Sequence, residues 1–342
     1  MSEPAASALQ VLSTEICPWL RPALRRLEEA LETERFGHAW LIAGAPGIGK
    51  VNLALAFAHR LLARGPARDP ADLGPEEAVA AMRDRHAPAD HHPDLHWVHP
   101  EEDKRAIAVE QIRAAAESLN LKSHRGGAKV VVIEPADAMT QAAANALLKT
   151  LEEPSDDTYL LLVSHQPDRL PPTIRSRCQR FNVPRPSRAA VASWVGRAPD
   201  ELAGPWRLTG GSALLVAALI LDDDHSKIKE LSTELTLVCR DGIEPGAVAE
   251  SWNKTDPELA LTWLTRELHR HIRSRLAPGD STSVTDPEGL ALHNGFGQLT
   301  LTRLFDLYDA ADRLSSQLGS GLNVELALQA MLLGFQGNKG PS

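Results

Sequence analysis

The run Gly44-Ala45-Pro46-Gly47-Ile48-Gly49-Lys50 has the residue types and spacing needed to hold phosphate. Glycines let successive backbone N–H groups converge on phosphate oxygens, and a lysine at the end meets the β and γ phosphates. Gly44, Pro46, Gly47, Gly49 and Lys50 are therefore the candidate phosphate-binding residues. The next position should carry a Ser or Thr hydroxyl for the magnesium ion, and Val51 stands there instead. Hydrolysis also needs an apolar strand that ends in two carboxylates, one for the metal and one to polarise the attacking water. The run Val130-Val131-Val132-Ile133 ends in Glu134 and Pro135. Glu134 has the chemistry for the metal, but Pro135 offers no base. Asp137 is close by in sequence, and the plain reading of Glu134 and Asp137 is that they are solvated loop residues or helix-capping groups.

The elements that must position these residues follow one another in the order the chemistry requires. A short apolar strand at 39–43 feeds the Gly-rich loop, and a helix from about 50 to 63 follows it. An amphipathic helix at 19–36, with Leu20, Leu24, Leu27 and Leu31 on one face, precedes them. The segment 64–94 is rich in Pro, Asp and Ala and reads as a loop with one short helix. Strands are expected near 95–98, at 129–133, at 159–163 and near 178–183, with helices around 108–119 and 139–152 between them. Strands that are apolar throughout and alternate with helices imply a parallel sheet covered on both faces.

Val183-Pro184-Arg185-Pro186 reads as a linker, because two prolines this close continue neither a helix nor a central strand. Everything beyond it is helical in pattern. Residues 187–222 form a small unit of three or four helices and 226–340 a larger one, whose best-patterned helix is 299–318. A polar loop is expected at 278–289.

Composition narrows the function classes. The net charge is −9, so a protein devoted to gripping nucleic-acid phosphates is disfavoured. Local DNA contact is left to Arg113, Lys122, Arg125 and Lys129. Cys17, Cys178 and Cys239 have neither disulfide nor metal spacing, which suits a reducing cytoplasm. The N-terminal run Met1–Gln10 lacks the apolar stretch of a signal peptide, and no run of eighteen apolar residues suggests a membrane span.

Four runs carry a resemblance: 36–50 with the phosphate loop, His92-Pro93-Asp94-Leu95-His96-Trp97-Val98, residues 126–154 ending in Leu147-Leu148-Lys149-Thr150-Leu151-Glu152-Glu153-Pro154, and 170–180 with Ser176-Arg177-Cys178. In this order they resemble the AAA+ clamp-loader family over nearly the whole chain. The resemblance implies an α/β AAA+ P-loop domain at 1–183, a parallel sheet with helices on both faces. A small helical lid domain at 184–224 and an all-helical collar at 225–342 would follow. It implies that Arg177 acts as an arginine finger on a neighbouring subunit's ATP, where a guanidinium stabilises charge building on the γ-phosphate. The family position that senses the γ-phosphate falls on Ser164 or His165. Leu214 stands about where active members carry an arginine from the lid.

With Val51, Pro135 and Leu214 in place, the resemblance favours a non-hydrolysing member that contributes to a DNA polymerase holoenzyme by assembly. The alternative is an active ATPase subunit, kept open by Lys50. No cofactor is required. Weak ATP or ADP binding without hydrolysis stays open at the degenerate loop. The implied partners are the ATP-hydrolysing tau/gamma clamp-loader subunits, the delta subunit, the sliding clamp indirectly, and primer-template DNA through the assembled complex. Many relatives carry a four-cysteine zinc module after the first helix. Residues 64–91 contain no cysteine, so no zinc is expected. The spacing of His86, His91, His92, His96 and His99 matches no standard metal site.

Overall fold

The five segments expected as strands form one sheet, parallel throughout, in a computed structural model of the chain. The structure describes residues 15–32, 36–63, 71–83, 92–101, 104, 106–222, 224–240, 242–276, 287–318 and 323–336. In chain order the elements of the first part are β1 (Glu15–Ile16), α1 (Arg21–Leu31), β2 (Ala39–Ala43), α2 (Lys50–Leu62), β3 (Ala71–Asp72), α3 (Pro75–Arg83) and β4 (Leu95–Val98). They continue with α4 (Val109–Asn120), β5 (Lys129–Ile133), α5 (Gln141–Glu152), β6 (Thr158–Ser164), α6 (Pro172–Arg175), β7 (Gln179–Asn182) and α7 (Arg188–Trp194).

The sheet order is β4-β5-β6-β2-β7, with Leu41 paired to Leu162 and Ile133 also to Leu162 across β6. Side chains alternate between its faces. Trp40, Ile42, Val130, Val132, Leu161 and Val163 pack with α1 and α2 on one side. Leu41, Val131, Ile133, Leu160 and Leu162 pack with α4 and α5 on the other. Burial on both faces is why these strands read as unbroken apolar runs. The order also sets the C-terminal ends of β2, β6 and β5 side by side. In open parallel sheets that edge is where ligand-binding loops gather.

Two local features were not anticipated. β1 pairs in parallel with β3, Glu15 opposite Ala71, and the amide of Leu73 extends the pairing to Ile16 O at 3.0 Å. The 3-10 turn Pro18–Leu20 then leads into α1, which starts later than the amphipathic pattern suggested. The expected short helix within 64–94 is α3; residues 64–70 and 84–91, and with them His86 and His91, lie outside the described residues.

The chain divides into two compact units, 1–196 with 212–218, and 197–211 with 219–342. Residues 184–224 are thus shared between both. The helices of the later part are α8 (Ala203–Thr209), α9 (Ala213–Leu221), α10 (Asp224–Cys239), α11 (Pro245–Thr255), α12 (Pro257–Leu276), α13 (Pro287–Gly297), α14 (Leu301–Ser316) and α15 (Val324–Leu332). The second unit is all helical in its described residues. α12 packs along α14, and α11 along α15, around Trp252, Trp263, Phe296 and Phe335. The Trp252 and Trp263 rings meet edge to face at 6.0 Å, and Trp252 Nε1 donates to Glu234 at 2.9 Å. A buried ion triad, Arg207 and Arg270 on Glu267, fixes α8 against α12. The expected polar loop at 278–289 lies outside the described residues up to 286, and α13 begins at Pro287.

Candidate functional site

The phosphate loop leaves β2 and enters α2 through Gly49, whose φ of +85° is open to glycine at little cost. Gly47 has φ +62°, and there a second reason demands glycine. A Cβ would stand 1.8 Å from Ser212 Oγ. The Leu214 amide also donates to Gly47 O at 2.9 Å, so the start of α9 closes directly on the loop. The N-terminal strap also holds it: Trp19 Nε1 donates to Ile48 O at 2.9 Å, and Asn52 joins Cys17 N and Glu15 O at 2.9 and 2.7 Å.

Lys50 is only 7% exposed. Its ammonium donates to Ala45 O at 2.6 Å, within its own loop. Burial lowers its pKa to about 8, against the opposing pull of Glu134 and Asp137. Those two carboxylates are not solvated loop residues or helix caps as the sequence suggested. Glu134 is 8% exposed. The Asp137 side chain accepts from Ser164 Oγ at 2.5 Å and lies 3.5 Å from His165 Nε2. The parallel sheet is responsible, because β5 and β6 are parallel neighbours and the segments that follow them leave the sheet at the same edge. Ser164 is consequently committed to Asp137, and it also accepts from Gln166 N at 3.1 Å. His165 is the member of that pair that reaches the cavity wall.

The cavity beside Lys50 measures about 230 Å³. Val51, Pro135 and Leu214 all line it, together with Glu134 and His165. Ala78, Ala81 and Met82 of α3 form another part of the wall. The lining therefore combines one lysine and one acid with mostly apolar groups. It lacks the hydroxyl at 51 and the base at 135 that a magnesium-nucleotide hydrolysis site uses, so these residues do not fit a hydrolytic magnesium–ATP site.

Arg177 lies elsewhere, after α6. Its guanidinium is 2.7 Å from Glu152 Oε1 and donates to Thr173 O at 3.0 Å and Ser176 Oγ at 3.4 Å. The side chain is 37% exposed. Glu152 belongs to the run ending α5 that the sequence singled out, but its pairing with Arg177 was legible only after folding.

Lys129 is corrected as a DNA-contact candidate. It is buried, and its ammonium caps the end of α4 by donating to Leu119 O, to Leu121 O at 3.1 Å and to Ser155 Oγ at 3.0 Å. Arg113, Lys122 and Arg125 remain exposed. Asp94 shapes the turn that carries Arg125, accepting from Ser123 Oγ, His124 N and Arg125 N at 3.0, 2.7 and 3.1 Å. Of the neighbouring histidines, His92 sits beside Asp94, and His99 Nδ1 pairs with Pro100 O at 2.9 Å.

Sheet order, phosphate loop and flanking helices together define an α/β P-loop protein of the AAA+ type. A family model described as DNA polymerase III, delta subunit, matches residues 19–187. DNA polymerase III subunit delta' of Pseudomonas aeruginosa is 38% identical over 81% of this chain and 81% of its own. The Escherichia coli subunit delta' is 32% identical over 92% of this chain and 94% of its own. The chain belongs to the DNA polymerase III subunit delta' family. Among solved structures, a DNA polymerase III gamma subunit-related protein from Thermotoga maritima aligns with 93% of this chain and 98% of its own, at 20% identity and a TM-score of 0.45.

Proposed function

We propose that this chain is a non-hydrolysing stator of a DNA polymerase III clamp loader, and that it completes a neighbour's ATP site with Arg177. The supporting observation is the wall of the Lys50 cavity, where Val51, Pro135 and Leu214 stand together. A single substitution in a phosphoryl-transfer site can be compensated. Here the metal ligand, the water-polarising base and the lid arginine are all replaced, and each normally acts on charge that develops in the transition state. The retained lysine is turned to its own loop carbonyl.

In this reading the helices around 184–224 are the lid and those of 225–342 the collar through which the subunits join. The partners are the ATP-hydrolysing tau/gamma subunits and delta. The sliding clamp and primer-template DNA are engaged through the assembled complex in the cytoplasm. Among the described residues no helix is long and apolar enough to cross a membrane.

The test is steady-state ATP hydrolysis by the reconstituted clamp loader with Arg177→Ala or Lys50→Ala in this subunit. Loss with Arg177→Ala alone is the expected result. Turnover by the isolated chain, abolished by Lys50→Ala, would establish the active-ATPase alternative instead.

A further inference from the structure

The closing run of α5 and the Ser176-Arg177-Cys178 run meet at one point. Glu152 Oε1 is 2.7 Å from Arg177 Nη2. Both ends of this contact rest on fixed backbone. Leu147 and Leu151 anchor the last turns of α5, each 2% exposed. His38 Nε2 pairs with Leu151 O at 3.0 Å, and Glu153 N closes the turn on Lys149 O at 3.0 Å. On the other side Ile174 is fully buried, and Arg177 N donates to Ile174 O at 3.1 Å.

We propose that Glu152 is a positioning residue for Arg177. It parks the guanidinium against the end of α5, and it must release it before Arg177 meets a phosphate of the neighbouring subunit's nucleotide. This rests on the reading of Arg177 given above. The chemistry is competitive: the guanidinium fork that pairs with a carboxylate is the same fork that pairs with a phosphate. Both side chains are well exposed, and such a pair adds little to fold stability. Its consequence lies in where it holds Arg177 and in the charge it neutralises until a stronger anion arrives. Thr173 O and Ser176 Oγ take the remaining contacts of Nη1, so the parked arrangement occupies both terminal nitrogens.

The experiment uses the reconstituted clamp loader with this full chain carrying Glu152→Ala, Glu152→Gln, Arg177→Ala, or Glu152→Ala with Arg177→Ala. ATP hydrolysis is followed without DNA, with kcat and KM separated. Glu152→Ala should raise kcat roughly two- to five-fold, the scale of releasing an exposed ion pair, with KM for ATP unchanged. Glu152→Gln should fall between it and the wild type. The double variant should match Arg177→Ala alone. If Arg177→Ala lowers hydrolysis while Glu152→Ala behaves as wild type, the parking role is wrong and the finger stands. An effect of Glu152→Ala that persists in the Arg177→Ala background would make Glu152 merely structural. No effect of Arg177→Ala would overturn the finger reading itself, and this inference with it.

Discussion

The amide of Leu214 donates to the carbonyl of Gly47 at 2.9 Å, so the first turn of α9 is hydrogen-bonded to the phosphate loop itself. Ser212 packs onto the same glycine, leaving no room for a side chain. The contact explains why Leu214 lines the cavity beside Lys50, and it makes Gly47 a position of double constraint.

Gly47→Ala should therefore destabilise the first unit. The new methyl would strike Ser212, and alanine would be held at φ +62°. Strain and overpacking together suggest a loss of about 2–4 kcal/mol. A denaturant unfolding curve read by tryptophan fluorescence checks it; a midpoint within error of wild type would mean that α9 simply moves off the loop.

Restoring the missing hydroxyl by Val51→Thr should not restore hydrolysis. The side chain would supply a magnesium ligand, but Pro135 still provides no base and Leu214 no guanidinium. Phosphate release by the isolated chain should stay at background. Measurable turnover in this single variant would show that position 51 alone silences the site.

Asp94→Asn should loosen the turn at 123–127. Burial alone would raise the Asp94 carboxyl, but the amides of His124 and Arg125 and the Ser123 hydroxyl hold it below the usual carboxylate range. A depressed carboxyl contributes stability that is complete above its unfolded value of 3.8 and is lost as pH falls through the folded one. At neutral pH the variant should lose about 1–3 kcal/mol, the cost of weakening hydrogen bonds to a buried charge. Hydrogen exchange at His124 and Arg125 reports it locally, and unchanged protection there would argue against the role.

Acid should destabilise the second unit through the pair His271 and His293, whose Nδ1 atoms lie 3.0 Å apart, one donating to the other. Burial, then His293, Arg275 and Arg270, lower the His271 pKa from 6.5 to about 4. Burial, Arg270 and Arg275 lower His293 as well, while Glu267 on the same helix is already held by Arg207 and Arg270. Well above pH 6.5 both rings are neutral in either state. As pH falls toward 4 the unfolded chain takes up a proton that the folded chain refuses, so stability declines across that window by roughly 2–3 kcal/mol. Urea midpoints at pH 7.5 and 5 measure the slope. His271→Asn should flatten it, and an equally steep slope in that variant would assign the acid sensitivity elsewhere.

The sequence by itself determined the sheet and the loop. Strands buried on both faces must be apolar along their whole length, and a phosphate loop needs its glycines in a fixed order, so 39–50, 129–133 and 159–163 were readable one residue at a time. That Val51 carries no hydroxyl and Pro135 no carboxylate was readable for the same reason, since each stands at a known place relative to the loop or the strand. Tertiary structure alone decided which distant groups meet. Hydrogen bonds between residues far apart in sequence leave no periodic trace, and so the strap of Glu15–Leu20 over the loop, α3 in the cavity wall, Lys129 under α4, Asp137 on Ser164 and Glu152 on Arg177 were settled only when strands β5, β6, β2 and β7 came to lie side by side.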